Sequence, residues 1–145
     1  MIVPDVNLLV YAYNRHAPKH TQARRWWEAT LNGNVPVGIP WAVSCGFIRI
    51  MTHPAVLDPP LLVERAVGLV RSWLERPVVQ ILEPGPRHLE ILARLLAGLG
   101  VGGNLTTDAH LAAIAIEHQC EIQSNDTDFG RFPGLRWSDP LLEVR

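Results

Sequence analysis

Residues 106–129 read TTDAHLAAIAIEHQCEIQSNDTDF. The stretch opens as a helix over 106–119, continues as a short apolar strand over CEIQS (120–124), and ends in two closely spaced acids, Asp126 and Asp128. A third acid, Asp108, stands in the first turn of the helix. A helix feeding directly into a short strand is the repeating unit of a parallel sheet, whose strands need crossover connections. The acids at its two ends then demand an explanation.

The rest of the chain alternates in the same way. MIVP (1–4) reads as a strand and VNLLVYAY (6–13) as a helix, followed by a second helix over HTQARRWWEATLN (20–32). VPVGIP (35–40) is a short strand and WAVSCGFIRIM (41–51) a helix. PPLLVERAVGLVRSWLE (59–75) places prolines at a helix first turn and continues with apolar residues at helical spacing. VVQIL (78–82) is a strand, PRHLEILARLLAGLG (86–100) a helix closed by glycine, and LRW (135–137) a last short strand. Short apolar strands between helices predict an α/β chain with a central parallel sheet covered on both faces.

Composition narrows the function classes. At 145 residues the chain has the length of one domain, 1–145, and 48% apolar with 19% charged residues describe a globular chain. No apolar stretch reaches the roughly 18 residues of a membrane span, and the N-terminus lacks the basic n-region of a signal peptide. Cys45 and Cys120 stand far apart in no metal or redox spacing, which fits a reducing cytoplasm. A net charge of −1 argues against binding nucleic acid through bulk charge, though a local basic patch stays open. GLGVGGN (98–104) lacks the lysine of a phosphate loop and reads as a helix stop and loop. His16 and His20 flank Pro18, so they are solvent-facing residues rather than a zinc pair. Trp26 and Trp27 on an amphipathic helix read as core, with Arg24 and Arg25 solvated.

Each acid has an ordinary structural explanation. Asp5 suits the N-cap of the helix at Val6, and Asp108 suits the positive end of its helix, with Thr106 or Thr107 as cap. Asp126 suits a turn, and Asp128 a cap for whatever starts at Phe129. Together these explanations weaken. Only six aspartates occur, and four of them lie at strand exits or at the helix start preceding a strand. In a parallel sheet such positions converge on one edge, where ligand sites form. Carboxylates brought together repel unless a cation neutralises them, and an all-oxygen set suits Mg²⁺ or Mn²⁺.

These residues also carry a family likeness. VPDVNLLVYAYN (3–14), PWAVSCGFIRIMTHP (40–54) and the run GGNLTTDAHLAAIAIEHQCEIQSNDTDFGRFPGLRWSDPL (102–141) resemble the PIN-domain family, more narrowly the VapC toxins of bacterial toxin–antitoxin pairs. The resemblance spans almost the whole chain. It implies a three-layer α/β/α domain and a Mg²⁺-dependent ribonuclease, with Mn²⁺ as a substitute ion. It also implies a cytoplasmic protein with a VapB-type antitoxin partner, an RNA substrate such as tRNA, and a homodimer. Carried over by position, Asp5, Asp108 and Asp126 match the metal-binding acids, with Asp128 beside them as a further catalytic carboxylate. Many PIN domains have a glutamate where this chain has Gly46, and no acid lies between Glu28 and Asp58. In that segment Arg49 and Thr52 are the candidate substrate or partner contacts. Two functions from different classes follow: a metal-dependent endoribonuclease, or a non-catalytic PIN-like module that binds RNA or protein, which Gly46 favours. A phosphatase with a nucleophilic aspartate fits less well, because Asp5 is followed two residues on by Asn7 rather than an acid.

Overall fold

The computed structural model describes residues 1–100 and 103–142; Val101 and Gly102, within the GLGVGGN loop, lie outside the described residues. Five strands, β1 (Ile2–Pro4), β2 (Val37–Pro40), β3 (Val79–Leu82), β4 (Glu121–Gln123) and β5 (Arg136–Ser138), form one sheet in the order β3-β2-β1-β4-β5. Every pairing is parallel. Six helices connect them: α1 (Val6–Tyr13), α2 (His20–Leu31), α3 (Trp41–Met51), α4 (Val63–Leu74), α5 (His88–Leu99) and α6 (Thr106–Glu117). α1 packs on α2 and α3, α3 on α4, and α5 on α6, so two helical groups flank the sheet as an α/β/α sandwich. No helix among the described residues is long and apolar enough to cross a membrane.

The central strands are apolar because both of their faces are covered. All three residues of β1 and all four of β2 are buried. Trp27, Phe47 and Trp73 are almost wholly buried and meet edge-on, with centroids 4.6 Å apart for Phe47–Trp73 and 5.5 Å for Trp27–Trp73. Such contacts add about 0.5–1.5 kcal/mol each beyond the area they bury. Trp27 is therefore core, as its helical position predicts.

Two local details depart from the sequence reading. The α4 helix begins at Val63 rather than at the prolines, because Leu62 is extended (φ −63°, ψ 146°) and the Leu61 N–H bonds the Met51 carbonyl at the end of α3. At the start of α6 the cap residue is Leu105, so neither Thr106 nor Thr107 fills that role. The glycine stop of α5 behaves as expected, with Gly100 in the left-handed region at φ 72°.

Chain direction in the sheet reverses at β1. The path runs outward from β1 through β2 to β3, then returns to place β4 on the other side of β1. The carboxyl ends of β1 and β4 thus border the crevice where such sheets bind ligands.

Candidate metal centre

Asp5 follows β1 and Asp126 lies three residues beyond β4, so the paired strands bring them to one edge. A backbone bond from Asp5 N to the Gln123 carbonyl, 2.9 Å, locks the two strand exits together. Asp5 occupies the N-cap position of α1, yet its carboxylate closes no regular cap bond. Instead its Oδ2 accepts the Ser124 hydroxyl at 2.8 Å, and the same Ser124 Oγ accepts the Asp126 N–H at 2.9 Å. Asp126 in turn caps the short 3₁₀ turn Thr127–Arg131 by accepting the Asp128 N–H at 2.9 Å. Each acid is thereby fixed by backbone or by Ser124, while carboxylate oxygens remain for a ligand.

Asp108 enters from the first turn of α6. Asp108, Asp126 and Asp128 each offer an oxygen, and these oxygens all lie within 4.8 Å of one another. Asp5 stands behind this triple, only 5% exposed. Burial pushes the Asp5 carboxyl above its ordinary range, with the Asp126 charge adding to the rise. Asp108 is pushed up to about 6 by burial and then by the negative charges of Asp5, Asp126 and Asp128. Among the described residues the only ion pair made by these four acids is Asp128 to Arg131, at 3.9 Å and half exposed. An exposed pair of that kind contributes little. Weakly compensated carboxylates with hard oxygen donors and no thiolate or imidazole among them are the donor set that a Mg²⁺-like ion prefers.

The sequence places this architecture among known proteins. The PIN domain family matches residues 2–135. Ribonuclease VapC33 of Mycobacterium tuberculosis is 48% identical over 143 residues, covering 99% of this chain and 100% of the relative. Ribonuclease VapC37 of the same organism is 42% identical over 140 residues, covering 97% of both chains. The chain belongs to the PIN-domain family. Its fold superimposes on VapBC2 from Rickettsia felis, bound to a DNA fragment from its promoter, with a TM-score of 0.69 at 21% identity over 96% of this chain and 98% of that one. The sarcin–ricin-loop-cleaving toxin VapC20 of M. tuberculosis gives 0.67 at 16% identity, over 94% and 99%.

The remaining sequence candidates of this PIN domain sit apart from the acid cluster in their contacts. Arg49 is exposed in the last turn of α3, and among the described residues it forms no ion pair with the acids. The Thr52 hydroxyl donates to the Ile48 carbonyl at 2.7 Å, closing the end of α3. Gly46 faces α1: a Cβ there would lie 3.3 Å from Val6 Cγ2, tighter than ordinary contact. Gly46, which the family resemblance sets against an acid, thus packs closely on the first turn of α1. Trp26 is partly buried, donates to Gln123 Oε1 at 2.8 Å, and lines a cleft of about 660 Å³ with Arg25, Val35, Leu141 and Leu142. Ser124, wholly buried between Asp5 and Asp126, is the residue that sequence reasoning passed over. Its only signal was a small polar residue just after a short strand, two positions before an acid.

Proposed function

We propose that this chain is the ribonuclease toxin of a VapBC pair, an endoribonuclease that hydrolyses RNA phosphodiester bonds at the β1–β4 edge with Mg²⁺, or with Mn²⁺ in its place. One observation carries the reading: Asp108, Asp126 and Asp128 bring carboxylate oxygens within 4.8 Å of one another beside the buried Asp5, with only a half-exposed Arg131 contact to Asp128 to offset them among the described residues. A fold that keeps such charge together without a ligand sacrifices stability; a bound divalent ion removes the conflict. Full-length relatives at 48% and 42% identity are named ribonucleases.

In this reading Asp108 and Asp126 would hold the ion, with Asp5 joining directly or through water and Asp128 offering the third oxygen of the triple. A divalent ion bound there would polarise a phosphoryl oxygen and lower the pKa of an attacking water. Asp128, half exposed at the rim, would orient that water and accept its proton. Ser124 keeps Asp5 and Asp126 in register, since its single oxygen donates to one and accepts from the backbone of the other.

The whole of 1–145 acts as one domain, working as a cytoplasmic homodimer. Its partner is a VapB-type antitoxin, for which the cleft beside Trp26 offers an apolar seat next to Gln123 at the end of β4. The substrate is a structured RNA, tRNA being the first class to try.

Cleavage of labelled total RNA by the purified, partner-free protein tests this. Discrete fragments are expected with Mg²⁺ or Mn²⁺ and none with EDTA. Asp5→Asn and Asp108→Asn would each lower the rate by about 10²-fold or more, since the ion's contribution is several kcal/mol. A folded protein that leaves RNA intact under every condition would instead support the binding-module alternative.

A further inference from the structure

The far end of α1 from the acids carries a second polar site. A pocket of about 460 Å³ opens where α1 ends, between the α1–α2 connection, α2 and the segment leading into α4. Arg15, Arg24 and Arg65 line it, together with His20, Tyr13 and Glu28. Arg24 Nε is paired with Glu28 at 3.0 Å, but Arg15 and Arg65, both exposed, make no ion pair among the described residues. Two positive charges are therefore left over in one concavity.

Tyr13 also lines the pocket and brings a hydroxyl to it. Its hydroxyl oxygen accepts the Trp73 indole N–H at 2.8 Å, while the Trp27 indole N–H lies close without an ordinary hydrogen bond. With the Trp73 N–H on its oxygen, the phenolic proton is still available to donate. Burial raises the Tyr13 pKa, with Glu28 adding to the rise, so the hydroxyl stays protonated. His20 Nδ1 donates to the Tyr11 carbonyl at 2.8 Å, which leaves Nε2 unengaged.

We propose that this pocket binds a phosphodiester of the RNA backbone, with Arg15 and Arg65 supplying charge and Tyr13 a hydrogen bond. The proposal rests on the ribonuclease reading above and adds a second anchoring point to it. A chain of net charge −1 with clustered carboxylates at its active edge repels RNA unless a local cationic site holds the strand. The 8-residue α1 joins the two places, a separation of about 12 Å at 1.5 Å per residue. A strand bound at both places would put the pocket's phosphate a few nucleotides from the scissile bond. Arginine's fork suits that contact better than a point charge.

The test is fluorescence anisotropy with a labelled 2′-O-methyl oligoribonucleotide, which resists hydrolysis, in EDTA across a salt series. Arg15→Ala/Arg65→Ala is expected to bind about tenfold or more weakly, with the log–log salt slope reduced by about 0.7 for each phosphate no longer neutralised. Glu28→Gln would tighten binding, which a merely unfolded variant cannot do. Unchanged affinity and slope in the double variant, with wild-type protein still cleaving RNA in Mg²⁺, would overturn the pocket and leave the ribonuclease standing. Arginine-dependent binding by a protein that never cleaves would do the reverse. If the double variant instead lost binding to polyglutamate and kept its oligonucleotide affinity, the pocket would belong to an acidic protein partner and the proposal would fail.

Discussion

The two ends of α6 use an acid in opposite ways. At its start, Asp108 faces three other carboxylates and is raised to about 6 by burial and their charge. At its end, Glu117 Oε1 and Oε2 accept the backbone N–H groups of Gly85 and Arg87, at 2.7 and 2.9 Å. Desolvation would raise Glu117, but those two hydrogen bonds, helped by His118 and His88, bring it below its ordinary value. An acid whose task is to pin the β3–α5 turn is fully satisfied. An acid left in conflict with its neighbours is one whose strain a bound cation would relieve.

Substituting the groups that distinguish the two ends gives the sharpest tests of this contrast. The largest effect, after loss of the acids themselves, belongs to Ser124→Ala. Removing the hydroxyl that spaces Asp5 and Asp126 should lower divalent-ion affinity and cleavage by about 10–100-fold, as for other groups that orient ligands. Cleavage rates across a Mg²⁺ titration would show the loss recovering in part at high metal.

The pH response should then differ in sign between the ends. The raised pKa of Asp108 makes its contribution to folding fully present below its ordinary 3.8 and lost as pH rises through about 6. Glu117, with a lowered pKa, stabilises above its ordinary 4.5, and that contribution disappears as pH falls. In EDTA, Asp108→Asn should raise Tm relative to wild type at pH 8 and change it little near pH 4. Thermal melts at the two pH values measure this, and equal shifts at both would count against the electrostatic conflict.

The smallest effect is expected from Glu117→Gln. Cleavage should be unchanged, Tm slightly lower, and amide exchange at Gly85 and Arg87 faster. Lost cleavage in this variant would mean that the two ends of α6 are not independent.

Much of this was legible beforehand for a physical reason. Short apolar strands buried on both faces have few alternatives, and acids at the exits of parallel strands converge wherever the chain reverses direction. The family likeness supplied the ribonuclease reading that geometry alone leaves open. Ser124 was hidden because a serine ending a strand is ordinary until its neighbours across the sheet are known. Glu117 carried an unread signal: an acid in the last turn of a helix opposes the helix dipole and needs compensating donors. The start of α4 was misplaced because proline is as much at home just before a helix as in its first turn, and a tertiary bond to Met51 decided between the two. The arginine pocket joins residues from 15 to 65 and has no local pattern to find.

The most direct measurement is calorimetric titration of Mn²⁺ into the metal-free protein at pH 8 and pH 5. The account expects binding at pH 8, much weaker binding at pH 5 as Asp108 takes up a proton, loss in Asp108→Asn, and no change in Glu117→Gln. Mn²⁺ binding that survives Asp108→Asn, or its absence from folded wild-type protein at pH 8, would contradict the claim that these carboxylates form a cation site.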